Sequence, residues 1–151
     1  STKLEDLLEE IINSFKETSS KEINLVSDND NNKIDIQRSA EMIYGLRNFI
    51  GNAIKFSKSK VNIFLHSNEK EIKITVNDDG PGFPKDIIEK LGEPYIKTKS
   101  EEINQNSGLG LGTFLGKTLL ERQNARLSFK DDKNLGGASV VISWSPKNIL
   151  L

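Results

Sequence analysis

Residues 76–84 (VNDDGPGFP) place a carboxylate and two glycines at the end of a predicted strand. The preceding apolar residues alternate with polar ones, a period of two that is typical of a half-buried strand. This strand would hold Asp78 at its end, while Gly80 and Gly82 permit positive φ or the close approach of a ligand. Asp78 could then accept a hydrogen bond from the amine of a flat ligand. An ordinary acidic β-turn has the same composition, so this stretch alone leaves both interpretations open.

A second polar group lies on the predicted helix over residues 38–57. At about 100° per residue, Asn48, Asn52 and Lys55 fall within about 60° of arc on one face. Asparagine is a poor helix former, so two of them one turn apart call for an explanation beyond propensity. An amide carbonyl oxygen suits Mg²⁺ and an ammonium group suits phosphate. A solvated polar face remains the alternative for this helix taken alone.

A third candidate is the glycine-rich run SGLGLG at residues 107–112, which precedes a predicted helix. Backbone N–H groups and the helix dipole at such a start favour an anion. The run lacks the GK[ST] ending of a P-loop and does not follow a strand, so neither a P-loop nor a dinucleotide-binding fold is favoured. The polar stretch at 93–106 before it has no apolar period, and a loop of this length is usually functional or disordered. A mobile lid over a ligand fits both descriptions.

Hydrophobic periodicity describes the elements that would position these groups. It predicts an amphipathic helix over residues 4–15, a hairpin of strands 22–26 and 33–37, and a helix that Ser39 can cap. A strand over 61–66 then forms a hairpin with the strand that carries Asp78. A short helix follows Pro84 to about Leu91, and two strands end the chain, with Trp144 in the core.

Length and composition restrict the function classes. The 151 residues fit one domain, and 21 basic against 22 acidic residues give no argument for nucleic acid as a partner. The absence of cysteine excludes disulfides, thiolate metal sites and a cysteine nucleophile. No apolar run reaches the length of a membrane span, so we expect a cytoplasmic chain, which leaves open a membrane anchor elsewhere in a longer protein.

In their order, these motifs resemble the ATP-binding domain of sensor histidine kinases, within the gyrase, Hsp90, histidine kinase and MutL superfamily. Residues 48–55 (NFIGNAIK) look like the N box, 78–82 (DDGPG) like the first glycine box, Tyr95 like the aromatic box and 107–112 like the second glycine box. GEPYIKTK and GLGLGTFLGKTLLER are similar to the redox-responsive RegB/PrrB type. The resemblance implies a Bergerat-type α/β (α+β) sandwich: a mixed, mostly antiparallel sheet, covered on one face by about three helices, with a mobile ATP lid near 93–107.

The resemblance also implies a site, residue by residue. Asp78 would bind the adenine amine with Gly80 and Gly82, Asn52 would ligate Mg²⁺, and Asn48 would act with it near the phosphates as the catalytic pair. The other implied ATP contacts are Lys55, Tyr95, Lys99, Ser107, Gly108, Leu109, Gly110, Leu111 and Gly112. Residues 136–138 (GGA) depart from the Gly-Thr of many members, so we assign no ligand contact to them.

The function that the resemblance implies is transfer of the γ-phosphoryl group of Mg·ATP to a histidine in two-component signalling. That histidine would lie on a separate dimerisation domain, because His66 stands in the wrong element. We therefore expect the catalytic and ATP-binding part of a longer kinase, monomeric and nearly inactive alone, with a response regulator as an indirect partner.

Two other function classes remain open at the sequence level. The first is an ATPase switch of the same superfamily, which needs an acidic base near Asn48, whereas Glu41 is out of register. The second is a degenerate nucleotide-binding or interaction module without phosphotransfer. Intact Asn52, Asp78 and glycines argue against degeneration.

Overall fold

The computed structural model of the protein describes residues 1–28, 34–91 and 110–150, without the side chains of Gly110 and Leu111. The predicted lid at 93–107 lies outside these residues. The helices are α1 (Leu4–Lys16), α2 (Ala40–Phe56), α3 (Lys85–Leu91) and α4 (Gly110–Arg122), with a 3-10 turn at Pro146–Asn148. The strands are β1 (Thr2–Lys3), β2 (Glu22–Ser27), β3 (Asp35–Ile36), β4 (Lys60–Ser67), β5 (Ile72–Asp78), β6 (Arg126–Asp131) and β7 (Ala138–Trp144). No helix in this described part is long and apolar enough to cross a bilayer.

Five strands form one mixed sheet in the order β2-β4-β5-β7-β6. The β2–β4 pair is parallel and the other neighbours are antiparallel, so the predicted mixed, mostly antiparallel sheet is confirmed. The predicted β4–β5 hairpin is also confirmed, with Val61 opposite Asp78 and Ser67 opposite Ile72.

The hairpin predicted for strands 22–26 and 33–37 is wrong. β2 pairs with β4, which lies beyond α2 in the chain, and β3 pairs with β1 in a separate two-stranded ribbon. The Leu4 N–H donates a hydrogen bond to the Ile34 carbonyl at 2.9 Å, which joins the segment just before β3 to the start of α1. Alternation in a strand indicates which residues face the core, but it does not identify the neighbouring strand.

The apolar stripes of α1 and α2 pack on one face of the sheet. α1 begins with Leu4 and buries one residue per turn or more, as its spacing predicts. α2 begins after Ser39, whose side chain accepts a hydrogen bond from the Met42 N–H at 3.1 Å, so the predicted cap is confirmed. Trp144 is 2% exposed, in agreement with its predicted place in the core.

The inward face of β5 carries Ile72, Ile74, Val76 and Asp78, all of them buried. Because alternate strand residues share a face, Asp78 follows three core residues onto the side that the helices cover. The strand thus places one carboxylate at the edge of the apolar core. This is the position from which the candidate site is built.

Candidate functional site

A cavity of about 250 Å³ lies among α2, β5, the segment after β5, α4 and β7. Most of its lining is apolar, and a few polar side chains converge on it, the usual composition of a small-molecule site. The aromatic rings in its walls belong to Phe49, Phe56 and Phe83, and the polar side chains to Asn52, Asp78 and Thr113. The arrangement suits a flat, apolar ligand with polar edges.

Asp78 supplies the only carboxylate in the described lining of this cavity. The side chain is buried, and its Oδ1 accepts hydrogen bonds from the N–H groups of Gly80 at 2.8 Å and Ala138 at 3.2 Å. Burial raises the pKa of Asp78, the two backbone hydrogen bonds oppose that rise, and the charges of Asp79 and Asp132 add to it. No hydrogen bond to Oδ2 comes from the residues that the structure describes, which leaves this oxygen for a ligand donor.

Glycines keep side chains away from this carboxylate. A Cβ on Gly137 would lie 2.3 Å from both the carbonyl oxygen and Oδ1 of Asp78, distances that no real Cβ adopts. Gly82 has φ +81°, a backbone conformation that L side chains rarely adopt, and it lines the cavity. Gly82 and Asp78, predicted together, thus meet at one site.

The two asparagines of α2 also meet at this site. Asn52 lines the cavity, and its Nδ2 donates hydrogen bonds to Asn48 Oδ1 at 3.3 Å and to Thr113 Oγ1 at 3.0 Å. Lys55 does not line the cavity: it is exposed, with its Nζ 5.3 Å from the ring centroid of Phe56, which does. The predicted polar stripe therefore divides into an asparagine pair that packs towards α4 and an exposed lysine that lies outside the cavity lining.

The structure describes only some of the other predicted site residues. Gly112 belongs to the first turn of α4, where an added Cβ would lie 3.0 Å from Asn48 Nδ2. Gly110 and Leu111 begin the same helix, whose N-terminus is a suitable place for an anion. Tyr95, Lys99, Ser107, Gly108 and Leu109 lie outside the described residues.

Several groups at the site were not predicted from the sequence. No role was assigned to residues 136–138 from the sequence, yet the Ala138 N–H donates a hydrogen bond to Oδ1 of Asp78, and Ala138 lines the cavity. Gly137, directly before β7, was the available signal, since a glycine at a strand often marks the close approach of another backbone. Thr113 and the phenylalanines of the cavity wall had no comparable signal in the sequence, because the same residue types also occur in an ordinary core.

Two residues considered in other roles lie away from the cavity. Glu41 is 3.6 Å from Arg122 and accepts a hydrogen bond from Gln123 at 3.2 Å, so it joins the start of α2 to the end of α4. His66 is exposed on β4, where its Nδ1 contacts the carboxylate of Asp28. Among the described residues, no group of three or more histidines, cysteines or carboxylates could hold a metal.

Comparison with known proteins connects this chain to a family. Residues 37–148 match the family described as histidine kinase-, DNA gyrase B-, and HSP90-like ATPase. Sensor histidine kinase RegB of Cereibacter sphaeroides is 43% identical over 99 residues, which cover 62% of the chain and 21% of RegB. The chain thus spans about a fifth of the length of this curated relative.

Solved structures agree in fold. The catalytic domain of histidine kinase ThkA superposes with a TM-score of 0.75 over 95% of each chain at 19% identity. Full-length ShkA, solved in complex with AMPPNP, superposes with a TM-score of 0.73 at 20% identity, over 99% of the present chain and 30% of ShkA. At these identities, the superpositions establish the fold alone.

Proposed function

The chain belongs to the family of histidine kinase-, DNA gyrase B- and HSP90-like ATPases, and on this basis we propose that its cavity binds Mg·ATP as the phosphoryl donor of a sensor histidine kinase. The predicted resemblance to kinases of the RegB type is confirmed by the matches to that group. The acceptor in this proposal is a histidine on a separate dimerisation domain, and a response regulator would receive the phosphoryl group later.

Asp78 carries the proposal. Its Oδ1 is held by two backbone N–H groups, so the carboxylate has a fixed orientation beside an apolar cavity of about 250 Å³. A carboxylate so fixed suits the exocyclic amine of adenine, while the phenylalanine walls suit the faces of the base. The complex of ShkA with AMPPNP, an ATP analogue, supports adenine nucleotide as the ligand class.

The asparagine side of the cavity suits the phosphate end of the nucleotide. Mg²⁺ prefers one or two protein oxygens together with phosphate oxygens and water, and Asn52 offers one carbonyl oxygen there. The described residues contain no cluster of acids that would form a metal cage, which agrees with that kind of coordination. When bound, Mg²⁺ would neutralise phosphate charge; Asn48 would orient Asn52, and Lys55 and the start of α4 would attract phosphate oxygens.

Phosphoryl transfer requires an acceptor from outside the described cavity. The bond from the γ-phosphorus to the leaving oxygen of ADP breaks as a bond to the acceptor nitrogen forms, and this requires positioning more than an internal nucleophile. His66 points from the exposed side of β4 and does not line the cavity. We therefore expect the chain alone to bind Mg·ATP and to turn it over slowly or not at all.

Calorimetric titration with AMPPNP, with and without Mg²⁺, tests this function. We expect wild type to bind, and Asp78→Asn to weaken binding by roughly 10- to 100-fold, because it loses a hydrogen bond to a charged acceptor. Asn52→Ala should chiefly remove the gain in affinity that Mg²⁺ provides.

Asp86→Ala is the control, since Asp86 is exposed on α3 and does not line the cavity. It should bind as wild type does. Failure of the wild-type chain to bind AMPPNP at millimolar concentration would overturn the proposal and favour the interaction module. Equal weakening by Asp78→Asn and Asp86→Ala would place the nucleotide elsewhere.

A further inference from the structure

Helices α2 and α4 approach each other closely at the asparagine pair. A Cβ on Gly116 would lie 2.9 Å from Asn48 Oδ1, and one on Gly112 would lie 3.0 Å from Asn48 Nδ2. The amide of Asn48 thus packs into a groove of α4 that exists because both positions are glycine. This close approach brings Thr113 of α4 to Asn52 of α2.

Thr113 is 2% exposed and lines the cavity together with Asn52. Its Oγ1 accepts a hydrogen bond from Asn52 Nδ2 at 3.0 Å, and Asn48 Oδ1 accepts a second one from the same nitrogen at 3.3 Å. An amide nitrogen carries two hydrogens, so these two acceptors use its whole donor capacity. No described residue donates to Oδ1 of Asn52, which is the polar atom left for a ligand.

The chemical need for this arrangement follows from the asymmetry of the amide. Rotation about χ2 of asparagine is broad and nearly two-fold, so an unrestrained Asn52 would present either its oxygen or its NH₂ group. Only the oxygen can bind a cation, because the NH₂ group is a donor without an acceptor function. Two acceptors on α2 and α4 therefore favour the orientation in which the oxygen is free.

We propose that Thr113 is a positioning residue that fixes the amide of Asn52 so that its carbonyl oxygen faces the Mg²⁺ of the bound nucleotide. This inference rests on the proposed function, but it concerns a residue to which the sequence assigned no role. It also connects the helix after the glycine-rich run to the metal side of the site through one hydrogen bond. Thr113→Val removes this bond at nearly constant volume.

The first test needs no nucleotide. Hydrogen exchange of the Asn52 side-chain amide, followed by ¹⁵N NMR, should be about fivefold faster in Thr113→Val than in wild type, the ratio that corresponds to one lost hydrogen bond. Thr113→Ser keeps a hydroxyl and should restore slow exchange. Thr118→Val, on the same helix but outside the cavity lining, is the matched control and should leave the Asn52 signals unchanged.

The second test is the Mg²⁺ dependence of AMPPNP affinity in the same variants. We expect Thr113→Val to bind metal-free AMPPNP within about twofold of wild type, but to lose about fivefold of the gain that Mg²⁺ provides. Thr113→Ser should recover that gain, and Thr118→Val should retain it. If Thr113→Val does not fold, Thr113→Ala removes the hydroxyl with less bulk.

The outcomes separate the inference from the function on which it rests. Unchanged Mg²⁺ dependence in Thr113→Val overturns the inference, and so does an equal loss of affinity with and without the metal, which indicates a merely structural role. Absence of AMPPNP binding by wild type overturns the proposed function and the metal role together. The exchange measurement still decides, in that case, whether Thr113 orients the Asn52 amide.

Discussion

Asp78 and Asp79 are adjacent in the chain, yet the fold moves their pKa values in opposite directions. Burial raises the pKa of Asp78. For Asp79, burial also raises the pKa, but hydrogen bonds from Ser59, Lys60 and Lys58 outweigh it and lower the pKa to about 2. One carboxylate is thus left for a ligand at the cavity, whereas its neighbour fastens the turn after α2 to the end of β5.

Replacement of Asp79 by asparagine should destabilise the fold at pH 7. We expect Asp79→Asn to lower the free energy of unfolding by about 1 kcal/mol, a value reduced for the partial exposure of this group. A lowered pKa gives stability that is present above the ordinary aspartate range and is lost as pH falls through the folded pKa. The difference in free energy of unfolding between wild type and Asp79→Asn should therefore narrow as pH falls from about 4 to about 2. Urea denaturation at a series of pH values measures it.

Asp78→Asn is the matched comparison, and its effect on stability should depend on pH in the opposite direction. A raised pKa gives stability that is present below the unfolded pKa and is lost as pH rises through the folded pKa. At pH 7, Asp78→Asn should thus have a free energy of unfolding at least as large as that of wild type. As the pH falls, the free energy of unfolding of wild type should rise relative to that of Asp78→Asn. If both variants showed the same pH dependence, the assignment of the two carboxylates would be wrong.

At the scale of elements, the site depends on the close packing of α2 and α4. Gly45 of α2 faces Leu120 of α4, and an added Cβ would lie 2.5 Å from Leu120 Cγ. Leu120 is fully buried, so its side chain has little room to move. Asn48 and Thr113 can lie close together only while residue 45 is small enough for the two helices to pack at this distance.

Gly45→Ala should therefore destabilise the protein, although alanine is the better helix former. The propensity gain is about 1 kcal/mol, whereas overpacking of a tight core costs about 1–3 kcal/mol, so we expect a net loss of about 1 kcal/mol. Thermal or urea unfolding measures it. The Mg²⁺-dependent part of AMPPNP affinity should fall as well, because the helices are forced apart.

Gly51→Ala provides the control within α2. Its Cβ would lie 3.1 Å from Cζ of Phe15, the far end of a partly buried ring that can shift. We expect this variant to be as stable as wild type or more stable, by up to about 1 kcal/mol. A Gly45→Ala protein as stable as Gly51→Ala would show that the α2–α4 contact is not tight.

For the whole molecule, the cavity joins five parts of the chain: α2, β5, residues 81–84, α4 and β7. A ligand there contacts elements that are distant in sequence, so its binding free energy adds to the stability of the complete fold. Local unfolding of any of these elements would release the ligand.

Mg·AMPPNP should thus raise the melting temperature. At 100 times its dissociation constant, a ligand adds about 2.7 kcal/mol, which for a domain of this size corresponds to roughly 5–10 °C. Differential scanning fluorimetry measures the shift. At the same concentration, Asp78→Asn should show at most about half of this shift, because its affinity is at least 10-fold weaker. Asp86→Ala should shift as wild type does, and a full shift in Asp78→Asn would contradict this account of the site.

The sequence by itself determined most of the elements and the order of the motifs. Period-two alternation predicts β4, β5 and β7, and the stripes of α1 and α2 predict amphipathic helices, because local burial imposes these periods on each element. The resemblance of the ordered motifs to a known family also implied that Asp78 and Asn52 share one site, and both side chains line the cavity.

Only the tertiary structure decided which strands are neighbours and which groups complete the site. β2 pairs with β4 and not with β3, the Ala138 N–H holds Asp78, and Thr113 meets Asn52. The last two contacts join residues 60 and 61 positions apart. A residue's type and local period report whether it is buried, but the identity of a distant partner is set by the packing of whole helices and strands.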